Sequence, residues 1–203
     1  MSLTNCYATL DQFKLELGIS DVYDDNKAER AINAASRQID AHCGRRFWQD
    51  SSVATRVFRA DDATCCYVDD ISTTTGLIVK ADTGADGTYA STLTINTHFI
   101  LEPLNAALEV PVRPYTEITI VDGTGGYFPT TARPGVQVIA KFGWPAVHPD
   151  DVMKACIIQS LLVFKAGDAA FGAAQLGVDG NTFFVGQMHS TARGLLEPYV
   201  RRY

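Results

Sequence analysis

Ala155 to Phe164 is apolar almost all the way round a helix, broken only by Gln159-Ser160. A helix without a polar face must be covered on more than one side, and this run falls far short of the ~20 residues that cross a bilayer. Its limits are legible. Pro149 with Asp150 and Asp151 marks the start, because proline fits the first turn and carboxylates favour the positive end of the helix dipole. Lys165 and Gly167 mark the stop. The rest of the chain must supply the cover, or a second subunit must.

The best internal partner lies near the N-terminus. Thr9 and Gln12 make a capping-box pattern, Leu10, Phe13 and Leu17 follow at helical spacing, and Gly18 closes a short helix. An acidic link from Asp21 to Asp25 leads to a longer helix, where Asn26 and Glu29 are spaced for a second capping box. Ala28, Ile32, Ala35 and Ile39 share one face before Gly44. From about Val53 the pattern turns to alternation punctuated by Gly, Asp, Thr and Pro. It predicts strands at Thr55 to Arg59, Cys65 to Val68, Leu77 to Lys80, Thr92 to Leu101, Glu117 to Val121 and Val136 to Phe142. The expected fold is α+β: a discontinuous helical domain (1–50 and 142–167) with an inserted antiparallel β module (51–141), either sandwich or barrel, and a C-terminal arm with a short helix (168–203).

At 203 residues the chain can bury a core without metals or disulfides. Its net charge of −6 opposes a protein that grips nucleic acid through phosphate. Residues 1–140 hold 11 basic against 18 acidic side chains, and residues 141–203 hold 6 against 5, so nucleic acid would meet a repellent surface suited to passage. Met1 to Asn5 lacks a basic start followed by an apolar run, so no signal peptide is expected.

No motif points to catalysis, a cofactor or a metal. Cys6, Cys43, Cys65, Cys66 and Cys156 form no CxxC pair, and adjacent Cys65 and Cys66 in a strand face opposite ways. They are expected to be reduced and structural. Asp122-Gly123-Thr124-Gly125-Gly126 lacks the GK[ST] ending of a phosphate loop. Asp82, Gly84, Asp86 and Gly87 resemble the start of a calcium loop but place Leu93 where a bidentate glutamate is required. Both read as turns. His42, His98, His148 and His189 lie on unlike elements. Arg45-Arg46-Phe47-Trp48 pairs cations with aromatics as single-strand binders do, but the arginines also suit a helix C-terminus and the aromatics a core.

Gly172, Gly177, Gly180, Gly186 and Gly194 interrupt the arm too often for a long helix. Its apolar content argues against simple disorder, so it reads as an arm ordered on a partner, with Phe171, Phe183, Phe184, Leu195, Leu196 and Tyr199 as anchors. Trp144, Phe164, Arg201, Arg202 and Tyr203 complete the candidate contact residues.

Tyr7-Ala8-Thr9-Leu10, Gly18-Ile19, Ala34-Ala35-Ser36, Ile39-Asp40 and Cys43-Gly44-Arg45-Arg46-Phe47 at one end resemble the opening of a known family. Phe142-Gly143-Trp144-Pro145, the helix from Pro149, Phe164-Lys165, Asp168, Phe171-Gly172 and Leu195 to Arg202 resemble its close. The family is the head-to-tail connector, or adaptor, proteins of long-tailed bacteriophages. The resemblance covers both helical ends, roughly half the chain. It implies a non-enzymatic virion protein without cofactors: a ring of usually twelve identical subunits beneath the portal of the filled head. That ring would present a platform to the next neck or tail protein, a stopper or tail terminator, with genomic DNA passing through the lumen as cargo and no membrane involved. The arm from Gly167 would contact the portal or a neighbouring subunit. Another joining component, such as a stopper or tail-completion protein, is the alternative, followed by a DNA-binding packaging or regulatory protein using Arg45, Arg46, Arg201 and Arg202.

Overall fold

A computed structural model describes residues 3–20, 22–131, 133–145, 147–166 and 188–201, together with the backbone of 173–175 and 182–184. The described chain divides into two compact units, one formed by residues 1–47 with 148–203 and the other by residues 48–147. It is an α+β protein, as its sequence pattern predicts.

The first unit is built on helices α1 (Leu10–Leu17), α2 (Asp25–Cys43), α3 (Asp150–Ala166) and α4 (Ser190–Leu196). The Thr9 and Gln12 side chains exchange hydrogen bonds with each other's backbone amides, at 3.2 and 2.8 Å, to complete the capping box of α1. Gly18 and Gly44 close α1 and α2 in the left-handed conformation, at φ 65° and 62°, which glycine adopts without a Cβ clash. The expected capping box at Asn26 and Glu29 does not form. The N-cap is Asp24, and Asn26 already lies inside the helix. The Asp25 amide bonds back to the Val22 carbonyl, and that turn starts the helix ahead of Asn26.

The apolar α3 packs on α1, α2 and α4, so three helices of its own chain supply the cover its composition demands. Ala28, Ile32, Ala35 and Ile39 of α2 are all buried. The two polar residues inside α3 are satisfied. Ser160 donates to the Cys156 carbonyl at 2.6 Å. Gln159 donates to Gln38 Oε1 at 2.7 Å and accepts the His189 amide at 2.9 Å. Within the span read as an extended arm, β8 (Ala173–Gln175) and β9 (Thr182–Phe184) pair antiparallel, and α4 includes Gly194.

The second unit is a sandwich of two antiparallel sheets. One has the order β1 (Ala54–Phe58), β7 (Val136–Ala140), β3 (Ile78–Ala81), β4 (Ser91–Leu93). The other runs β2 (Cys65–Ile71), β6 (Tyr115–Ile120), β5 (Phe99–Glu102). Their inner faces share one core that includes Cys66, Val68, Val79, Phe99, Ile118 and Val138. The span 92–101, expected as one strand, is two. Asn96 takes φ 62°, and the Thr94 amide donates to His98 Nδ1 at 2.8 Å, turning the chain between β4 and β5. Where the unit begins and ends, the chain runs side by side. The Asp50 amide donates to the Phe142 carbonyl at 2.9 Å, and Gln49 bridges Gly143. A module with adjacent ends can interrupt a domain with little disturbance, because its host chain has no gap to span.

Candidate functional site

The described residues hold no set of three or more His, Cys, Asp or Glu side chains arranged for a metal. Burial pushes the Cys43 and Cys66 thiols up to about 12, opposite to the activation a nucleophilic cysteine needs. Cys65 reaches about 12 through burial and its contact with the Glu117 carboxylate. Both turns that resemble ligand loops are spent on themselves. The Asp82 carboxylate accepts the Asp86 and Gly87 amides at 3.2 and 2.9 Å. Gly123 and Gly125 sit at φ 76° and 78°, bending the loop after β6. The features left to consider are surfaces and the contacts that shape them.

At the C-terminal end of α2, Tyr7 is buried. Its hydroxyl donates to Asp40 and accepts the Phe47 amide, the latter at 2.9 Å, while its ring meets Phe47 and His148 edge-on at 5.6 and 5.5 Å. Phe47 also meets Tyr199 edge-on at 5.8 Å. The Arg201 amide then caps α2 by donating to the Cys43 carbonyl at 2.8 Å. A buried Phe47 is no stacking platform for a base.

The sequence-predicted contact residues fall into three groups. Trp144, Leu196 and Tyr199 are buried within the chain, and the Tyr199 hydroxyl donates to Asp151 at 3.1 Å. Phe164, Leu195 and Arg201 are half-buried; Phe164 lies 5.4 Å from the Phe13 ring, with the Lys27 ammonium over its face at 4.3 Å. Phe171, Arg202 and Tyr203, and the side chains of Phe183 and Phe184, lie outside the described residues.

Other apolar side chains are left to solvent. In the first unit, Leu15, Val22 and Tyr23 are exposed around the connection between α1 and α2. In the second, Leu104, Leu108 and Val110 are exposed in the connection between β5 and β6. These two groups of exposed apolar side chains are candidate contact surfaces. Tyr23 sits in what reads as an acidic linker, and its large ring among carboxylates was the available signal. Among the described residues no helix is long and apolar enough to cross a membrane.

No protein-family profile matches the sequence, and no curated protein matches it. Solved structures do. Over 100% of this chain and 94% of the other, the fold is similar to a chain in the neck of an empty GTA particle computed with C6 symmetry, at a TM-score of 0.57 and 12% identity. A chain in the virion of a native gene transfer agent particle matches over 100% and 94% at a TM-score of 0.51 and 13% identity. A chain in the neck of a native GTA particle computed with C12 symmetry matches over 100% and 93% at 0.50 and 14% identity. Likeness at this level of identity establishes a shared fold across the whole length of the chain.

Proposed function

We propose that the chain is a structural, non-enzymatic subunit of the neck of a phage-like particle, acting as a head-to-tail adaptor. Twelve copies form a ring beneath the portal and offer a platform to the next neck or tail protein, and DNA passes through the lumen. The observation that carries this reading is the end-to-end likeness to a neck chain, covering 100% of this chain and 94% of that one. Three physical features support it. The net charge of −6 disfavours capture of DNA while permitting its passage. Both units leave apolar side chains in solvent that a ring or its neighbours would cover. Burial pushes the Cys43 and Cys66 thiols up, away from the thiolate form a nucleophile needs.

The exposed candidates for these contacts are Leu15, Val22 and Tyr23 in the helical unit and Leu104, Leu108 and Val110 in the β unit. Residues 167–203 remain the segment proposed to reach the portal or a neighbour, with Leu196 and Tyr199 buried near its C-terminal end, where α4 packs on α3. Deleting the gene should give DNA-filled heads without tails, rescued by the full chain supplied in trans. A normal yield of tailed particles without it would contradict the reading.

A further inference from the structure

The β unit turns two sheet faces outward, and they carry opposite charge. On the four-stranded sheet, the register sets Thr55, Ile139 and Ile78 in one row and Val57, Gln137 and Lys80 in the next. Strand alternation puts Lys141, which follows β7, on the same side. No carboxylate occupies an outward strand position of this sheet. The face is also partly greasy, with Val57 49% and Ile78 41% exposed.

On the three-stranded sheet, Cys65, Thr119 and Ile100 form one row and Tyr67, Glu117 and Glu102 the next. Asp61 and Asp62 adjoin it on the turn before β2. No Lys or Arg occupies an outward strand position here, and Asp69, engaged by Arg56 at 2.5 Å, is left out of this charge pattern. Tyr67 is 55% exposed. The charge of Glu117 is the first cause of the upward shift of the Tyr67 phenol, as expected on a negative surface.

We propose that β units of neighbouring copies stack head to tail, the Lys80 and Lys141 face of one against the Glu102 and Glu117 face of the next. Each face carries partly exposed apolar side chains, Val57 and Ile78 on one and Tyr67 and Ile100 on the other, so the contact combines sheet packing with charge registration. Because the two faces differ, the contact is heterologous. Each added copy leaves one face of each kind open, and the series ends when rotation brings the last copy onto the first, which makes a ring. A nucleic acid would suit only the basic face and would leave the acidic one unexplained. The proposal rests on the ring reading above and names the surface that builds it.

Sedimentation of the full chain tests it at low and high salt, using three proteins whose thermal unfolding is first shown to match. Wild type should self-associate, less so in high salt. Lys80→Glu with Lys141→Glu, and separately Glu102→Lys with Glu117→Lys, should each weaken association about tenfold or more. An equimolar mixture of the two variants should associate again, because each reversed face now meets its complement. Replacing the same pairs by Gln gives a milder loss if the reversed variants fold poorly. Association of the variants equal to wild type, or a mixture that stays dissociated, would overturn this pairing and leave the ring in place. Wild type that remains monomeric at every loading would overturn both the pairing and the ring.

Discussion

Tyr7 hydrogen-bonds Asp40 across 33 residues of sequence, tying the N-terminal segment to the last turns of α2. The same hydroxyl accepts the Phe47 amide at 2.9 Å, so one oxygen serves a carboxylate and a backbone donor. Tyr7→Phe removes both interactions at constant packing. It should destabilise the protein by about 2–4 kcal/mol, since a buried amide and a half-buried carboxylate lose their partner. Urea unfolding followed by circular dichroism measures this, and a change under about 0.5 kcal/mol would mean that water replaces the hydroxyl at little cost.

Asp40 carries a pH signature. Burial raises its pKa above the usual carboxylate value, against the lowering effect of the Tyr7 hydrogen bond and of Arg37 and Arg46. A carboxyl with a raised folded-state pKa binds its proton more tightly when folded, so its stabilising contribution is full below the unfolded pKa and lost as pH rises through the folded one. Wild type should therefore gain stability relative to Asp40→Asn as pH falls from neutral through the raised pKa. Paired denaturation curves between neutral and mildly acidic pH check the sign, and a constant difference would remove Asp40 from the account.

Two glycines should respond in opposite ways to alanine. At Gly135 a Cβ would meet the Pro129 carbonyl oxygen at 2.8 Å, a backbone atom that cannot swing aside. Gly135→Ala should cost about 1–3 kcal/mol through forced backbone shifts. At Gly194, inside α4, a Cβ meets nothing within 4 Å. Gly194→Ala should stabilise the chain by about 0.5–1 kcal/mol through helix propensity, raising Tm by about 1–4 °C. Thermal melts of the two variants suffice.

Gln159 fixes the start of α4. Its side chain accepts the His189 amide and donates to Gln38, and the His189 ring in turn accepts the Thr191 amide at 3.2 Å as the helix cap. Gln159→Met keeps the volume and removes both bonds, at a cost of about 2–3 kcal/mol. Hydrogen exchange should quicken in α4 while the middle of α2 keeps its protection. Equal loss of protection in both would show that Gln159 supports the whole helical unit.

Local chemistry explains which parts of the fold were legible. The Thr9 capping box, the left-handed stops at Gly18 and Gly44 and the buried face of α2 each depend on residues within a few positions. Asn96 shows the limit. An alternating pattern runs through it, but its positive φ splits the strand, and asparagine takes that conformation too variably for its presence to signal a turn. Whether an apolar residue faces its own chain or another was equally hidden. Leu196 and Tyr199 look like anchors near a chain end, yet α4 and the 3-10 turn that follows it (Glu197–Tyr199) bury both, because α3 needs cover on the side that α1 and α2 leave open. The opposite charges of the two sheet faces were also invisible beforehand. Lys80 and Lys141, or Glu102 and Glu117, meet only once the strand order is known.

The neck assignment is tested most directly by reconstructing an intact particle from the source of this chain. The account predicts this fold, repeated as a closed ring of twelve between the portal and the first tail component, with its β units in contact around the ring. A complete tailed particle whose neck contains no copy of the chain would contradict it.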